Sequence, residues 1–449
     1  MVDEREQTNT VVIDLQENNM QALRETWPGL GNEERRRIFF LLPRTDAEDF
    51  FLDMSPPEQA EMLQDLPRLQ KRSWVRLLAP DDAADVIQQV PQDERENWLN
   101  LLDHDTRTDV VALLTYAEDE AGGIMNPRFV RLRPDVTVDV AVRYLRTQAR
   151  KQVENISYAY VINSDDKLLG TVSFRDLLLS PPDRLVSQVM ETDLITLPEN
   201  LDQEEVSRRF SQYGLKALPV VDDEGHIKGI VTIDDVVEVV QQEATEDIQK
   251  LGGMEALDAP YFQISFREMI KKRAGWLMIL FLSEMFTATA MGFFEKEIEK
   301  AVVLALFIPL IISSGGNSGS QATTLIIRAM ALGEVKLYEW WRVFFRELAS
   351  GLTLGCILGC IGIMRIMLWP TRLTLYGEHY GLIALTIGMS LVGIVTWGTL
   401  VGSMLPFLLR RLGFDPASAS APFVATLVDV TGIVIYFTVA SLFLGGILL

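Results

Sequence analysis

From Pro309 to Gln321 the chain reads Pro-Leu-Ile-Ile-Ser-Ser-Gly-Gly-Asn-Ser-Gly-Ser-Gln, a polar, glycine-rich run inside an apolar segment. A helix that only anchors a protein has no use for such a run. Polar groups and backbone breaks persist at membrane depth only where protein or a water-filled path surrounds them. Further along, Asp429 interrupts a second apolar segment, and an ionisable side chain there marks a functional site by default. Asn317 and Gln321 bring amide oxygens and Asp429 brings charge, the donors that hard cations take. The chemistry implied is a path for ions, not a reaction.

These residues need membrane-crossing elements to hold them. After Pro260 the composition turns apolar, and spans are expected at 274–294, 301–331, 344–369, 381–409 and 422–448. Each is near or above the roughly 20 residues that cross a bilayer. The longer ones imply tilt or ends that protrude into water. Arg267, Lys271, Lys272 and Arg273 precede the first span, while Arg328, Lys336, Arg342 and Arg346 surround the second connection and Arg410 and Arg411 the fourth. The positive-inside rule then makes the N-terminus cytoplasmic and the C-terminus external, in a multi-pass protein of the cell membrane. The polar, acidic first residues carry no signal peptide.

Charge is divided unevenly. The formal net charge is −21, yet the first 300 residues hold 56 acids against 33 basic residues. An acidic soluble half excludes nucleic acid, whose phosphates need a basic surface, and suits cations. The two cysteines, Cys356 and Cys360, are spaced i,i+4 in an apolar segment and read as helix packing. The three histidines (His104, His226, His379) are scattered, and neither a P-loop nor a nucleophile–base pair appears, so an enzyme is not expected.

Residues 30–115 read as short amphipathic helices separated by Leu42-Pro43, Ser55-Pro56-Pro57, Leu66-Pro67, Ala79-Pro80 and Val90-Pro91, a stacked array. Residues 124–240 repeat an α/β unit. Tyr158-Ala-Tyr-Val-Ile-Asn163 with Gly170-Thr-Val-Ser-Phe-Arg-Asp176 parallels Ala217-Leu-Pro-Val-Val-Asp222 with Gly229-Ile-Val-Thr-Ile-Asp-Asp235. This resembles a tandem CBS pair, in which the Ser/Thr and Asp of Gly-x-x-Ser/Thr-x-x-Asp commonly hold an adenosine ribose and phosphates. Here those residues are Ser173 and Asp176, or Thr232 and Asp235, with Arg175 beside them. The same pairs are also suited to capping the helix that follows. Between this repeat and the first span, Asp234 to Gly253 reads as one helix bearing Asp234, Asp235, Glu238, Glu243, Glu246 and Asp247. Glu243 and Asp247 are like charges at i,i+4, which repel unless a cation lies between them. Together with acids of the helical domain, these carboxylates read as weak divalent-cation sites.

Three stretches then resemble one family, the MgtE magnesium channels and transporters. They are Glu243-Ala-Thr-Glu-Asp-Ile-Gln-Lys-Leu-Gly252; Ser314 through Ala329; and Leu405 through Pro416 with Val424-Ala-Thr-Leu-Val-Asp-Val-Thr-Gly432. The resemblance implies a multidomain homodimer in the lipid bilayer. It would have an all-α superhelical N domain (1–123, the first 20 or so residues flexible), an α/β CBS pair (124–186 and 187–240), a long acidic connecting helix (241–265) and a five-helix transmembrane domain (266–449). It implies Mg²⁺ as cargo and regulator and ATP as a further ligand. Pore contacts would be Asp429, backbone near Ala425, and Asn317 with the Gly315-Gly316 backbone. Sensor acids would be Asp81, Asp85 and Asp49 of the N domain with those of the connecting helix, and Asp415 a further cation contact. Glu204 and Glu205 would serve a site between the CBS copies, with Gly214 where an acidic partner can occur. Tyr158, Arg175 and Asp176 match positions associated with ATP. The rival readings are an ion-coupled divalent cation carrier and a membrane-anchored nucleotide sensor.

Overall fold

The prolines of the first third mark helix starts. In the computed structural model, which describes residues 20–148, 157–257, 261 and 264–447, eight short helices precede the first strand. They are α1 (Met20–Thr26), α2 (Asn32–Phe39), α3 (Arg44–Leu52), α4 (Pro56–Gln64), α5 (Arg68–Val75), α6 (Pro80–Gln88), α7 (Gln92–Leu99) and α8 (His104–Leu113). Pro43, Pro67 and Pro91 occupy N-cap positions, and Pro56 and Pro80 stand in the first turn, where a missing N–H costs nothing. Phe39, Phe51 and Trp74 form the aromatic centre of the array, with both phenylalanine rings 5.1 Å from the indole. The segment before residue 20, expected to be flexible, lies outside the described residues, as do 258–260 and 262–263 of the expected connecting segment.

Two matching α/β copies follow. The first has β1 (Arg131–Leu132), α9 (Val138–Gln148), β2 (Tyr158–Ile162), β3 (Leu168–Ser173) and α10 (Phe174–Leu179). The second has β4 (Leu197–Pro198), α11 (Gln203–Tyr213), β5 (Ala217–Val221), β6 (Ile227–Thr232) and α12 (Ile233–Leu251). In both, a parallel pair joins an antiparallel hairpin, in the orders β1-β2-β3 and β4-β5-β6. The repeated glycines have a steric cause. A Cβ on Gly170 would lie 2.8 Å from the Glu191 carbonyl oxygen, and one on Gly229 would lie 2.9 Å from that of Asn126. The helical array shares one core with the second copy, from Phe39 and Val86 through Val206, Phe210 and Val231.

The first described unit ends at Glu243 and the second begins at Ala244, although α12 continues through both as one helix to Leu251. Among the described residues of the second unit, five helices are long and apolar enough to cross a membrane. They are α13 (Phe266–Phe293), α16 (Ile308–Ala331), α17 (Trp340–Met367), α19 (Tyr380–Arg411) and α20 (Ala421–Leu444). The short helices α14 (Glu295–Lys300), α15 (Val302–Ala305) and α18 (Arg372–Tyr376) lie in the connections. The expected second span therefore begins as two pieces, α15 and then α16, and the glycine-rich run itself is unbroken helix. Helix α19 packs against α16, α17 and α20. The face of α17 turned to it is Gly351, Gly355, Gly359 and Gly362, all buried. Cys356 and Cys360, read from sequence as packing residues, are instead free and exposed, since the glycines take the close contact.

Pro406 lies inside α19 and leaves the carbonyl of Gly402 without its helical N–H. The Thr323 hydroxyl of α16 lies 2.9 Å from that oxygen and repairs the loss. A Cβ on Gly402 would be 2.1 Å from the Gly319 carbonyl oxygen, so only glycine permits this crossing.

Candidate functional site: an intramembrane polar face and a cytosolic acid group

Helix α16 has two faces of opposite use. Gly315, Ser318, Gly319, Ala322 and Thr323 are buried against neighbouring helices, with Ser318 and Thr399 hydroxyls 2.6 Å apart. Ser313, Asn317, Gln321 and Thr324, at i, i+4, i+8 and i+11, are exposed along one stripe. The Asn317 amide reaches back only to Ser313, at 3.4 Å. Beside this stripe, a Cβ on Gly316 would lie 3.3 Å from the Ala425 Cβ and 3.6 Å from Asp429 Oδ1. The Asp429 carboxylate therefore stands against α16 beside Gly316. Asp429 has no hydrogen-bond or ion-pair partner among the described residues, an arrangement that hydrocarbon does not tolerate. The structure brings Asn317, Ala425 and Asp429 into one neighbourhood.

The acids of the first unit gather around the start of α12. Asp85 of α6 interacts with Asp82, Glu118, Glu238 and Asp235. Burial, reinforced by those four charges, pushes its carboxyl up to about 8. Asp235 is pushed up to about 6, first by burial and then by Asp234 and Asp82, against the pull of its hydrogen bonds from Thr232. Asp82 and Glu238 are also raised by partial burial and neighbouring acids. Asp82 was not singled out from sequence, although its i,i+3 spacing to Asp85 puts both on one face. Asp81, its neighbour, turns the other way: it is only 6 % exposed and accepts a bond from Asn126 Nδ2 at 3.1 Å.

The remaining expected acids are dispersed. Glu243 accepts from Gln203 Nε2 at 2.6 Å. Glu246 and Asp415 meet through Lys250, whose ammonium ion-pairs with Glu246 and lies 2.6 Å from Asp415 Oδ2. Burial alone would lower the Lys250 pKa, but the two carboxylates raise it, so the lysine stays charged. Asp247 is half-buried on α12, Asp49 is exposed on α3, and Glu204 stands in the first turn of α11 outside the group at Asp85. Glu205 is engaged by Arg208 and Arg209. Gly214 has φ 62° and ends α11 in the left-handed region, where an acidic residue would be strained. Among the described residues, no three acids, histidines or cysteines converge closely enough to hold a metal ion directly.

At the first α/β copy, Tyr158 and Ser173 are register partners across β2 and β3. Ser173 caps α10 by accepting from the Asp176 N–H at 3.0 Å, and its hydroxyl donates to Asp176 Oδ2 at 2.5 Å. In the second copy the Thr232 hydroxyl and backbone N–H both donate to Asp235 Oδ2, at 2.7 and 3.0 Å. The first pair therefore serves as a cap, and Arg175 is exposed beside it.

Sequence comparison agrees with this division of the chain. Residues 308–439 match the family described as a divalent cation transporter, MgtE, residues 19–119 match the MgtE intracellular N domain, and 121–182 and 186–242 match CBS domains. The magnesium transporter MgtE of Thermus thermophilus is 40% identical over 96% of this chain and 97% of its own length. The chain belongs to the MgtE family. The magnesium transporter MgtE of Enterococcus faecalis is 34% identical, covering 74% of this chain and 71% of its own. A solved cytosolic domain of the Mg²⁺ channel MgtE in complex with ATP is 38% identical, with a TM-score of 0.46, over 52% of this chain and 99% of that one. These MgtE relatives are named as transporters, not enzymes, and the five apolar helices make this MgtE protein a multi-pass membrane protein.

Proposed function

We propose that this chain is a Mg²⁺ channel that closes when cytosolic Mg²⁺ is plentiful. The observation that carries the reading is the uncovered polar stripe of α16 with unpartnered Asp429 beside it at membrane depth. Lipid cannot cover that face, and a second copy of the same face can. In a homodimer with its pore on the two-fold axis, the two Asp429 carboxylates confront each other across a path lined by Asn317 and by backbone near Ala425. Mg²⁺ dehydrates reluctantly, so it is held partly through its waters. The basic residues before α13 and between α16 and α17 support a cytoplasmic N-terminus and an external C-terminus.

The acid group at Asp82, Asp85, Asp235 and Glu238 supplies the sensor. Without divalent ions these carboxylates repel and favour separation. With them, the closed arrangement gains differential binding energy, all that a ligand can use to shift an equilibrium. ATP is a second expected ligand of the first CBS copy. The Tyr158 ring position and exposed Arg175 suit an adenosine phosphate, and Ser173 and Asp176 would exchange their mutual bond for the ligand.

The test is flux of Mg²⁺, Mn²⁺, Co²⁺ and Ca²⁺ through purified protein in liposomes. Mg²⁺ flux in the wild type and its loss in Asp429→Ala support the reading, while undiminished flux in Asp429→Ala contradicts it. Single-channel currents separate a channel from a carrier, which gives none.

A further inference from the structure

Helix α13 carries a carboxylate that the pore described above does not use. Glu284 follows the basic residues Arg267, Lys271, Lys272 and Arg273, which mark one membrane surface. At about 1.5 Å of rise per residue, it lies roughly 16 Å beyond Arg273, near the middle of a hydrocarbon layer about 30 Å thick. Among the described residues it has no hydrogen bond and no ion pair. A carboxylate so placed needs a cation, a proton or a polar partner.

Two contacts fix what stands opposite. Trp276 near the start of α13 donates to Ser420 Oγ at 3.1 Å, and its ring lies 6.2 Å from that of Phe423. At the far end, Phe294 stacks on Phe437 with centroids 4.9 Å apart. Both pairs advance in the same sense, so α13 and α20 run parallel. From the Trp276 anchor, Glu284 lies about 12 Å along α13 and Asp429 about 9–13 Å along α20. From the Phe294 anchor the two distances are about 15 Å and 12 Å. The two carboxylates therefore share one depth, and they interact electrostatically. One turn on from Glu284, Thr287 is 8 % exposed, and its hydroxyl has no hydrogen-bond partner. An orphaned buried hydroxyl on the α13 face packed against α20 is a donor and acceptor awaiting a ligand or its water.

We infer that Glu284, with Thr287, joins Asp429 of the same subunit in a lateral intramembrane site for a hydrated divalent cation. Each subunit thereby offers the ion two carboxylates instead of one. This rests on the reading of Asp429 as a pore carboxylate. The ion's water bonds to the Thr287 hydroxyl while the carboxylates neutralise its charge.

The experiment is the Mg²⁺ dependence of flux through the full chain in liposomes, for the wild type, Asp429→Asn, Glu284→Gln, Glu284→Asp and Thr287→Val. We expect Glu284→Gln to raise half-saturating Mg²⁺ at least tenfold, Glu284→Asp to recover most of that loss, and Thr287→Val to raise it about threefold. Size-exclusion profiles identify variants that fail to fold, and Thr287→Val then stands in for Glu284→Gln. Wild-type half-saturation in both Glu284→Gln and Thr287→Val, with flux lost in Asp429→Asn, overturns the inference and leaves the channel reading intact. A change confined to the pH dependence of flux marks a proton site and also overturns it. Wild-type flux in Asp429→Asn overturns both.

Discussion

The hydroxyl of Thr323 meets the carbonyl that Pro406 leaves unpaired in α19, 2.9 Å away, in a helix that has no water to fall back on. Replacing Thr323 with valine keeps the shape and removes the donor, so the Gly402 oxygen is left buried and unsatisfied. The expected cost is about 1–3 kcal/mol, seen as a lower thermal unfolding midpoint in detergent, with Thr323→Ser close to wild type. Gly316→Val is expected to act differently. Its branches meet Ala425 and Asp429, so flux should fall at least tenfold while folding, read from size-exclusion profiles, survives. At this scale the sequence was informative where a residue broke its context. Asn317 and Asp429 stood out because polar groups are rare in apolar runs. Asp82 did not, because in an acidic stretch nothing local tells which of two adjacent aspartates faces the other acids: buried Asp81 meets Asn126, and exposed Asp82 interacts with Asp85.

Helix α12 links two kinds of charge. Its first turns carry the raised carboxyls, and Lys250 near its end holds Glu246 and Asp415. Asp85 and Asp235 are held above their usual value of 3.8, at about 8 and about 6. The folded protein therefore binds more protons than the unfolded chain, and stability falls as pH rises from about 4 through 8. In chelator, the unfolding midpoint of the soluble domains is expected to drop between pH 6 and pH 8.5. Added Mg²⁺ should restore it most at the higher pH, where the acids are ionised, and Asp85→Asn should flatten the dependence. Lys250→Met removes the cation shared by Glu246 and Asp415, and closure should then need several-fold more cytosolic Mg²⁺, measured as the half-inhibiting concentration for flux. The extent of α12, the five apolar helices and the proline-marked array were all legible from periodicity, caps and composition. The α15–α16 interruption and the glycine face of α17 were not, because both depend on which neighbour a helix packs against.

For the whole molecule, the division of labour follows from charge. Residues 1–265 carry 51 acids against 27 bases, while residues 266–449 carry 11 acids against 14 bases. The sensor therefore has somewhere to store repulsion, and the pore needs only one or two carboxylates per subunit. The most direct test of this account is single-channel recording from patches of the wild type and of a variant with Asp234, Asp235 and Glu238 neutralised, while cytosolic Mg²⁺ is raised. The account predicts that millimolar Mg²⁺ closes the wild-type channel and that the variant loses most of this dependence while still conducting. Closure of the variant at the wild-type Mg²⁺ concentration would contradict it.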